Sequence, residues 1–399
     1  MSGAWPTWVE DRCRDIEAAG QWRRPRTFDA SGPVGRLWED GAGRPPAEVT
    51  SFASNDYLGL SCHPAVVAAA HEALDRWGAG AGASRLVTGS RPVHAALEDA
   101  LAEWKGCERA VVLPTGFAAN LAVLSVFAAG GVRVFSDELN HASIIDGCRL
   151  ARAEVTVYRH KDLGHLDDSL AAVQGRSVVV SDTVFSMDGD VADLGGLLEV
   201  ARRHGALLVL DEAHAVLGPE LPATTAVGAG PDVAILRVGT LSKTLGSLGG
   251  FVAGPARFVE LLVNRARPYI FTTAPTPPSS AAALAALGVV RSPEGESLRL
   301  RLRTLVGRVA DALGMEDHPS PVVPVVVGTE ERALRAAAAL LERGLWVPAI
   351  RPPTVPAGTA RLRVTLSALH TDHDVDRLIA SLVPLERPAT EPVAAGHAT

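Results

Sequence analysis

Ala206-Leu-Leu-Val-Leu-Asp-Glu-Ala-His214 reads as a short strand that is apolar on both faces and stops at an acid. A strand with one face in water alternates polar and apolar residues; this one does not, so both of its faces must be covered. Strand patterns recur at 110–113, 132–136, 154–158, 177–181, 233–238 and 250–253, several of them wholly apolar and β-branched. Helical periodicity at 117–128, 142–151 and 194–204 falls between most of them. Two further helices, 64–77 and 92–104, precede the series, each with proline near its start and glycine (Gly78, Gly106) just after its end. The alternation predicts an α/β fold: a mostly parallel sheet inside a three-layer α/β/α domain.

Beyond that series the pattern breaks. Phe271-Thr-Thr-Ala-Pro-Thr-Pro-Pro278 reads as a rigid connector, and 279–314 as one long helix with a point of interruption at Pro293. Strand 321–327, helix 330–343, strand 361–366 and helix 372–382 then make a smaller α+β unit. The expected division is an N-terminal segment 1–58, a large domain 59–287, a C-terminal α+β domain 288–386 and a disordered tail 387–399 rich in Pro, Ala and Thr.

At 399 residues, with 47% hydrophobic and 21% charged content, the chain can bury a sizeable core. A net charge of -7 argues against a nucleic-acid surface and leaves small anions as the expected partners. Cys13, Cys62, Cys107 and Cys148 form no CxxC pair, so neither a metal site nor a disulfide framework is expected. No signal-peptide core and no unbroken run of 18 apolar residues occurs, so a cytoplasmic location is expected, with no membrane segment.

Thirty-eight basic residues include only three lysines, Lys105, Lys161 and Lys243, so thirty-five are arginines. Lys243 sits in Gly239-Thr-Leu-Ser-Lys-Thr-Leu-Gly-Ser-Leu-Gly-Gly250, whereas Lys105 and Lys161 read as surface residues. A lysine amine can lose its proton and condense with a carbonyl; a guanidinium cannot. That points to covalent aldehyde chemistry, most often with pyridoxal 5'-phosphate (PLP).

Asp211, at the carboxyl end of its strand, stands where α/β sheets place ligand contacts. Against a PLP ring it would keep the pyridine nitrogen protonated, and His214 could reach the phenolic oxygen. A Walker B box reads similarly but needs a Walker A loop; Ser242 stands where that loop requires glycine before Lys243-Thr244, and Arg237 where its first glycine belongs, which argues against a nucleotide hydrolase. Thr115-Gly116-Phe117 opens a helix after a strand, a place where free amides bind phosphate, although such turns also occur for geometry alone. His141 heads another helix and Ser186 follows strand 177–181; each also reads as a cap or turn residue. Arg361 and Arg363 alternate onto one face of their strand, and an Arg fork suits a carboxylate.

Taken together, seven segments resemble the α-oxoamine synthases, a fold-type-I PLP family, from about Ser51 to Leu382: Ser54-Asn-Asp-Tyr-Leu-Gly-Leu60, Thr115-Gly-Phe-Ala-Ala-Asn120, His141-Ala-Ser143, Val184-Phe-Ser-Met-Asp-Gly-Asp190, Asp211-Glu-Ala-His214, Gly239-Thr-Leu-Ser-Lys243 and Ile350-Arg-Pro-Pro-Thr-Val-Pro-Ala-Gly-Thr-Ala-Arg-Leu-Arg363. The resemblance implies an acyltransferase in which Lys243 holds PLP covalently and Asp211 pairs with the pyridine nitrogen. It implies His214 and Ser186 at the phenolic oxygen and His141 stacked on the ring. Gly116, Phe117 and Thr240 would hold the phosphate, with Thr272 or Thr273 from the second subunit of a homodimer that shares its active site. Arg363 would take the amino acid's carboxylate, while Asn55, Thr354 and Arg23 would line the substrate channel, with Arg24 and Arg26 competing for the place of Arg23. The branch resembled joins L-alanine to pimeloyl-CoA or pimeloyl-acyl-carrier protein; the alternatives are a relative using glycine and acetyl-CoA, and a non-catalytic PLP-fold protein. One departure is Ala215-Val-Leu-Gly-Pro-Glu220, which lacks the longer glycine-rich loop common after the Asp-Glu-Ala-His motif.

Overall fold

The computed structural model describes residues 5–39, 46–221 and 233–386. They divide into two compact units: residues up to 53 with 325–364 and from 380 onward, and residues 54–324 with 365–379. In chain order, helix α1 (Trp5–Ala18) and strands β1 (Arg26–Asp29), β2 (Val34–Glu39) and β3 (Ala47–Ser51) come first. The larger unit follows with α2 (Pro64–Trp77), α3 (Pro92–Lys105), β4 (Arg109–Leu113), α4 (Gly116–Phe127), β5 (Arg133–Asp137), α5 (Ala142–Ala151), β6 (Glu154–Tyr158), α6 (Leu163–Ala171), β7 (Ser177–Asp182), α7 (Leu194–His204), β8 (Leu207–Asp211), β9 (Ile235–Thr240), β10 (Gly250–Gly254), α8 (Ala256–Arg265), α9 (Arg267–Ile270), α10 (Pro277–Val290) and α11 (Pro293–Ala312). Last come β11 (Val322–Gly328), α12 (Glu330–Glu342), β12 (Leu345–Trp346), β13 (Ala349–Ile350), β14 (Ala360–Thr365) and α13 (Asp372–Glu386).

All seven strands expected between residues 110 and 253 enter one sheet, in the order β4-β10-β9-β8-β7-β5-β6. Only β10 runs antiparallel to its neighbours β4 and β9; the other ladders are parallel. The side-chain period of two sends Val178 and Val180 of β7 into one core with Leu124 of α4, Ile144 of α5 and Leu262 of α8. Val179 goes to the opposite core with Leu166 and Leu170 of α6 and Leu197 of α7. Both faces are therefore apolar, which is why these strands carry no polar alternation; each such side chain contributes about 1.5–3 kcal/mol over leaving it in water. The smaller unit carries the sheet β1-β2-β3-β12, with β12 parallel to β3. No helix among the described residues is long and apolar enough to cross a membrane.

Several expectations are modified. The stretch 279–314 forms two helices, because Ser292 caps α11 with its hydroxyl on the Gly295 N–H and Pro293, without an N–H, starts a new helix. The boundary drawn at 287–288 falls inside α10, whose Ala281 packs with Ala73 and Val93, so residues through 324 stay with the larger unit. The 58–59 boundary likewise moves to 53–54, and the tail 387–399 lies outside the described residues. Finally, Lys105 is not a surface residue: its amine lies 2.7 Å from Glu212, with side chains only 11% and 4% exposed, and Arg237 reaches the other carboxylate oxygen at 2.6 Å. Lys161 does lie at the surface, paired with Asp190.

Candidate active site

β8 and β7 run parallel, and their last residues, Asp211 and Asp182, face each other across the ladder. Both carboxylates are buried. Burial, then the neighbouring Asp211 charge, push the Asp182 carboxyl well above its usual range, while its Oδ2 accepts the His141 backbone N–H at 3.1 Å. Asp211 is held on both oxygens: Oδ1 accepts the Ala213 N–H at 2.9 Å and Oδ2 accepts the side-chain amide of Asn120 at 2.6 Å. The same Asn120 nitrogen donates to Ser143 Oγ at 2.8 Å, and Ser143 Oγ lies 2.8 Å from His141 Nδ1. Asp211, Asn120, Ser143 and His141 thus form one chain of hydrogen bonds across three elements. Asn120 Oδ1 is buried without a hydrogen-bond partner among the described residues.

Lys243 follows β9 in a tight loop closed by Leu241 N–H to Gly249 O at 2.9 Å and Gly246 N–H to Lys243 O at 3.0 Å. Gly246 has φ of 57° and a Cβ there would lie 2.3 Å from the backbone nitrogen of Ser61, so only glycine lets the loop sit against that turn. The half-buried Lys243 amine lies 2.8 Å from His214 Nε2. On the far side of the buried imidazole, Nδ1 is 2.5 Å from the hydroxyl of Tyr57, which is 0% exposed and also lies 3.2 Å from Asn55 Oδ1.

The start of α4 is prepared for an anion. Thr115 caps it, its hydroxyl taking the Ala118 N–H at 3.0 Å and its carbonyl the Ala119 N–H at 3.0 Å, which leaves the Gly116 and Phe117 amides as the first-turn donors. A Cβ on Gly116 would meet Cβ of Thr240 at 3.1 Å, so the expected phosphate residues converge from α4 and β9. Phe117 lies edge-on to His141, with ring centroids 6.5 Å apart, and His141 is exposed, as stacking on a bound ring requires.

Asn55, Gly116, Phe117, His141, Asp211, His214, Thr240 and Lys243 are all placed by the larger unit. Ser186 lies there too, in a turn after β7 closed by the Phe185 N–H on Asp190 O at 3.0 Å and by the Val184–Val191 bridge. Thr272 and Thr273 follow α9, with Thr273 bridged to Ser84. In the smaller unit, Arg361 and Arg363 are both buried on β14, 5% and 6% exposed. Arg23 and Thr354 line one cavity of about 260 Å³ with Gln21, Ile350 and Arg351, while Arg23, Arg24 and Arg26 all line a second of about 1060 Å³.

Tyr57, Asn120, Ser143 and Asp182 are the site residues that the sequence reading left unassigned. Asn120 did leave a signal, as the one amide in a Gly116–Phe127 helix whose only other polar side chain is Ser125, and such a residue when buried needs a partner. Asp182 left another, an acid ending a fully buried strand whose middle is three valines.

A parallel sheet that presents a lysine loop, a strand-end aspartate and an open helix N-terminus at one site defines a cofactor-dependent transferase class. The chain belongs to the aminotransferase class I and II family, whose profile matches residues 47–382. Within that class it belongs with the 8-amino-7-oxononanoate synthases, being 47% identical to that of Anaeromyxobacter sp. (strain K) over 98% of each chain. It is 46% identical to that of Paraburkholderia xenovorans (strain LB400), over 93% of this chain and 96% of the relative. A solved serine palmitoyltransferase from S. paucimobilis, with a PLP–myriocin aldimine bound, superposes with a TM-score of 0.84 at 30% identity, covering 94% of this chain and 96% of that one.

Proposed function

We propose that this chain joins L-alanine to a pimeloyl thioester, the new C–C bond replacing the C–S bond, so that the free thiol carrier and CO2 leave and 8-amino-7-oxononanoate forms for biotin synthesis, with PLP as the cofactor. The observation that carries the reading is Lys243, an amine 2.8 Å from a buried imidazole, in a chain 47% identical to an 8-amino-7-oxononanoate synthase. The residues fit PLP: a buried carboxylate pinned by Asn120 for the ring nitrogen, first-turn amides beside Thr240 for the phosphate, and an exposed His141 ring for stacking. Thr272 or Thr273 of a second copy would complete the phosphate site in a homodimer. His214 and Ser186 fit the phenolic oxygen.

When bound, PLP supplies an electron sink conjugated to the amino acid's Cα. Asp211, fixed on both oxygens, holds a proton on the ring nitrogen and so keeps that sink effective. Lys243 Nζ receives the alanine Cα proton and returns a proton to the same carbon after the carboxyl has left as CO2. Arg363, with a planar fork, takes the alanine carboxylate, while Asn55, Arg23 and Thr354 meet the acyl substrate. A reducing cytoplasm fits the four free cysteines.

The deciding experiment mixes the purified chain with L-alanine and pimeloyl-CoA or pimeloyl-acyl-carrier protein and follows 8-amino-7-oxononanoate by mass spectrometry. Lys243→Ala should lose both turnover and covalent capture of PLP. Faster turnover with glycine and acetyl-CoA would replace this reading with that of the glycine-using relatives, and no turnover with any acyl-CoA would leave a binding protein.

A further inference from the structure

Ser143 has no part in the chemistry as derived so far, yet it is 0% exposed and both of its donors meet one atom. Its backbone N–H donates to His141 Nδ1 at 3.3 Å, and its hydroxyl oxygen lies 2.8 Å from the same nitrogen. Asn120 decides how that hydroxyl is turned. The Asn120 amide must set its nitrogen, not its oxygen, against the Asp211 carboxylate at 2.6 Å, and the second N–H of that nitrogen goes to Ser143 Oγ at 2.8 Å. Ser143 Oγ therefore accepts from Asn120, and among the described residues the acceptor left for its own proton is His141 Nδ1. A ring nitrogen that receives both an N–H and an O–H carries no proton, so a neutral His141 is protonated on Nε2. Among the described residues Nε2 makes no hydrogen bond, which leaves that N–H to the site.

We infer that Ser143 is a positioning residue for His141: its two donors, the hydroxyl aimed by Asn120, hold the imidazole neutral with its proton on Nε2, ready to donate to an oxygen of the bound reactants. A proton added at Nδ1 would face the Ser143 N–H and turn the buried hydroxyl's proton away from its acceptor, so both donors resist the charged form. The groups around the ring pull in different directions. Although the residue keeps part of its surface exposed, desolvation lowers its pKa; the Asp211 charge from β8 opposes this, and the Lys243 charge from the loop after β9 adds to it. Asp182 of β7 accepts the His141 backbone N–H with a carboxyl held well above its usual range, and Phe117 of α4 offers only its ring. Neutrality matters because Asp211, in its proposed role, keeps a positive charge on the cofactor's ring nitrogen, and an imidazolium lying against that ring would repel it.

The inference rests on the proposed stacking of His141 on PLP, but its first readings need no cofactor. In the full-length, cofactor-free protein with nitrogen-15 in its histidines, the His141 signals are those lost in His141→Asn. They should report a protonated Nε2 and a bare Nδ1 near neutral pH. The opposite tautomer in the wild-type protein would overturn the inference, whether or not any Ser143 variant folds. Ser143→Ala should raise the pH midpoint of His141 by about 0.5–1 pH unit, the range of a single hydrogen bond. Ser143→Thr, which keeps the hydroxyl, should restore the wild-type midpoint, and the other histidines should keep theirs. PLP titrations from about pH 8 down to about pH 5 should show Ser143→Ala losing affinity at a higher pH than the wild type or Ser143→Thr. A role in packing alone would weaken PLP binding equally at every pH. That parallel loss, or an unchanged His141 midpoint in Ser143→Ala, would overturn the inference. Failure of Lys243 to capture PLP, with the histidine readings as expected, would instead count against the proposed function alone.

Discussion

Asn120 spans the site by donating from one side-chain nitrogen to Asp211 Oδ2 at 2.6 Å and to Ser143 Oγ at 2.8 Å, so a residue of helix α4 sets the orientation of the acid that ends strand β8. A hydrogen bond to a charged acceptor contributes about 1.5–3 kcal/mol. Asn120→Ala should therefore weaken PLP binding by roughly 10–100-fold, measured by titrating the cofactor-free protein. Asn120→Asp should be worse, because it replaces the donor to Asp211 with a further carboxylate beside Asp182 and Asp211. Unchanged affinity in both variants would remove Asn120 from the site.

Glu212 follows Asp211 directly and lies between Lys105 at 2.7 Å and Arg237 at 2.6 Å. Burial opposes its charge, but the two cations hold its carboxyl below the usual range. Removing one member of such a group strands buried charge, at a cost of about 3–5 kcal/mol. Lys105→Met should lower stability in urea by that order, whereas Lys161→Met, at the surface, should change it little. Equal effects would show that the Lys105 pair is not the structural one.

His160 lies between Asp137 at 2.9 Å and Asp190 at 2.8 Å and meets the ring of Phe185 edge-on. Burial alone would lower its pKa, but the hydrogen bonds to the two aspartates outweigh it and raise the value to about 9. A folded-state pKa above the ordinary value near ~6.5 means that protonated His160 contributes its full stability below that pH and loses it as pH rises through about 9. Thermal midpoints should fall between pH 7 and pH 10, and His160→Gln should flatten that fall. Because Asp190 closes the turn that carries Ser186, cofactor affinity should weaken over the same interval. Identical slopes for both proteins would contradict the link.

Arg363 is 6% exposed on β14 and proposed to bind the amino acid carboxylate. Arg363→Lys keeps the charge but removes the planar fork, so kcat/KM for L-alanine should fall by about 10–100-fold, chiefly through KM. The KM for the pimeloyl thioester should move much less. If both KM values rise together, the residue supports the fold and does not bind alanine.

Much of the larger unit was legible in the chain, because strand after strand is apolar on both faces. The Val178-Val179-Val180 run can satisfy its side chains only between two cores, which dictates the layers and favours the parallel order. Lys243, Asp211, Gly116 and His141 stand out as site candidates as well, because an amine among glycines, an acid at a strand end and a glycine at a helix start are local patterns with local causes. Proline supplied the break at 293 but not its consequence: whether α10 belongs with the sheet depends on Ala281 meeting Ala73 and Val93, contacts far apart in sequence.

What only the tertiary structure decided is which polar groups meet. Tyr57 lies 157 residues from His214, and Asn120 lies 91 residues from Asp211. No periodicity encodes such pairs, because a hydrogen bond is set by distance in space after the helices have packed. Lys105 shows the same limit from the other side, since a lysine at the end of an amphipathic helix reads as solvated until Glu212 and Arg237 arrive from β8 and β9 to bury it. The sequence by itself determined the layers and the sheet and set Lys243 apart from the other basic residues; the packing of those layers determined that His214 lies between Tyr57 and that amine and what holds Asp211 in place.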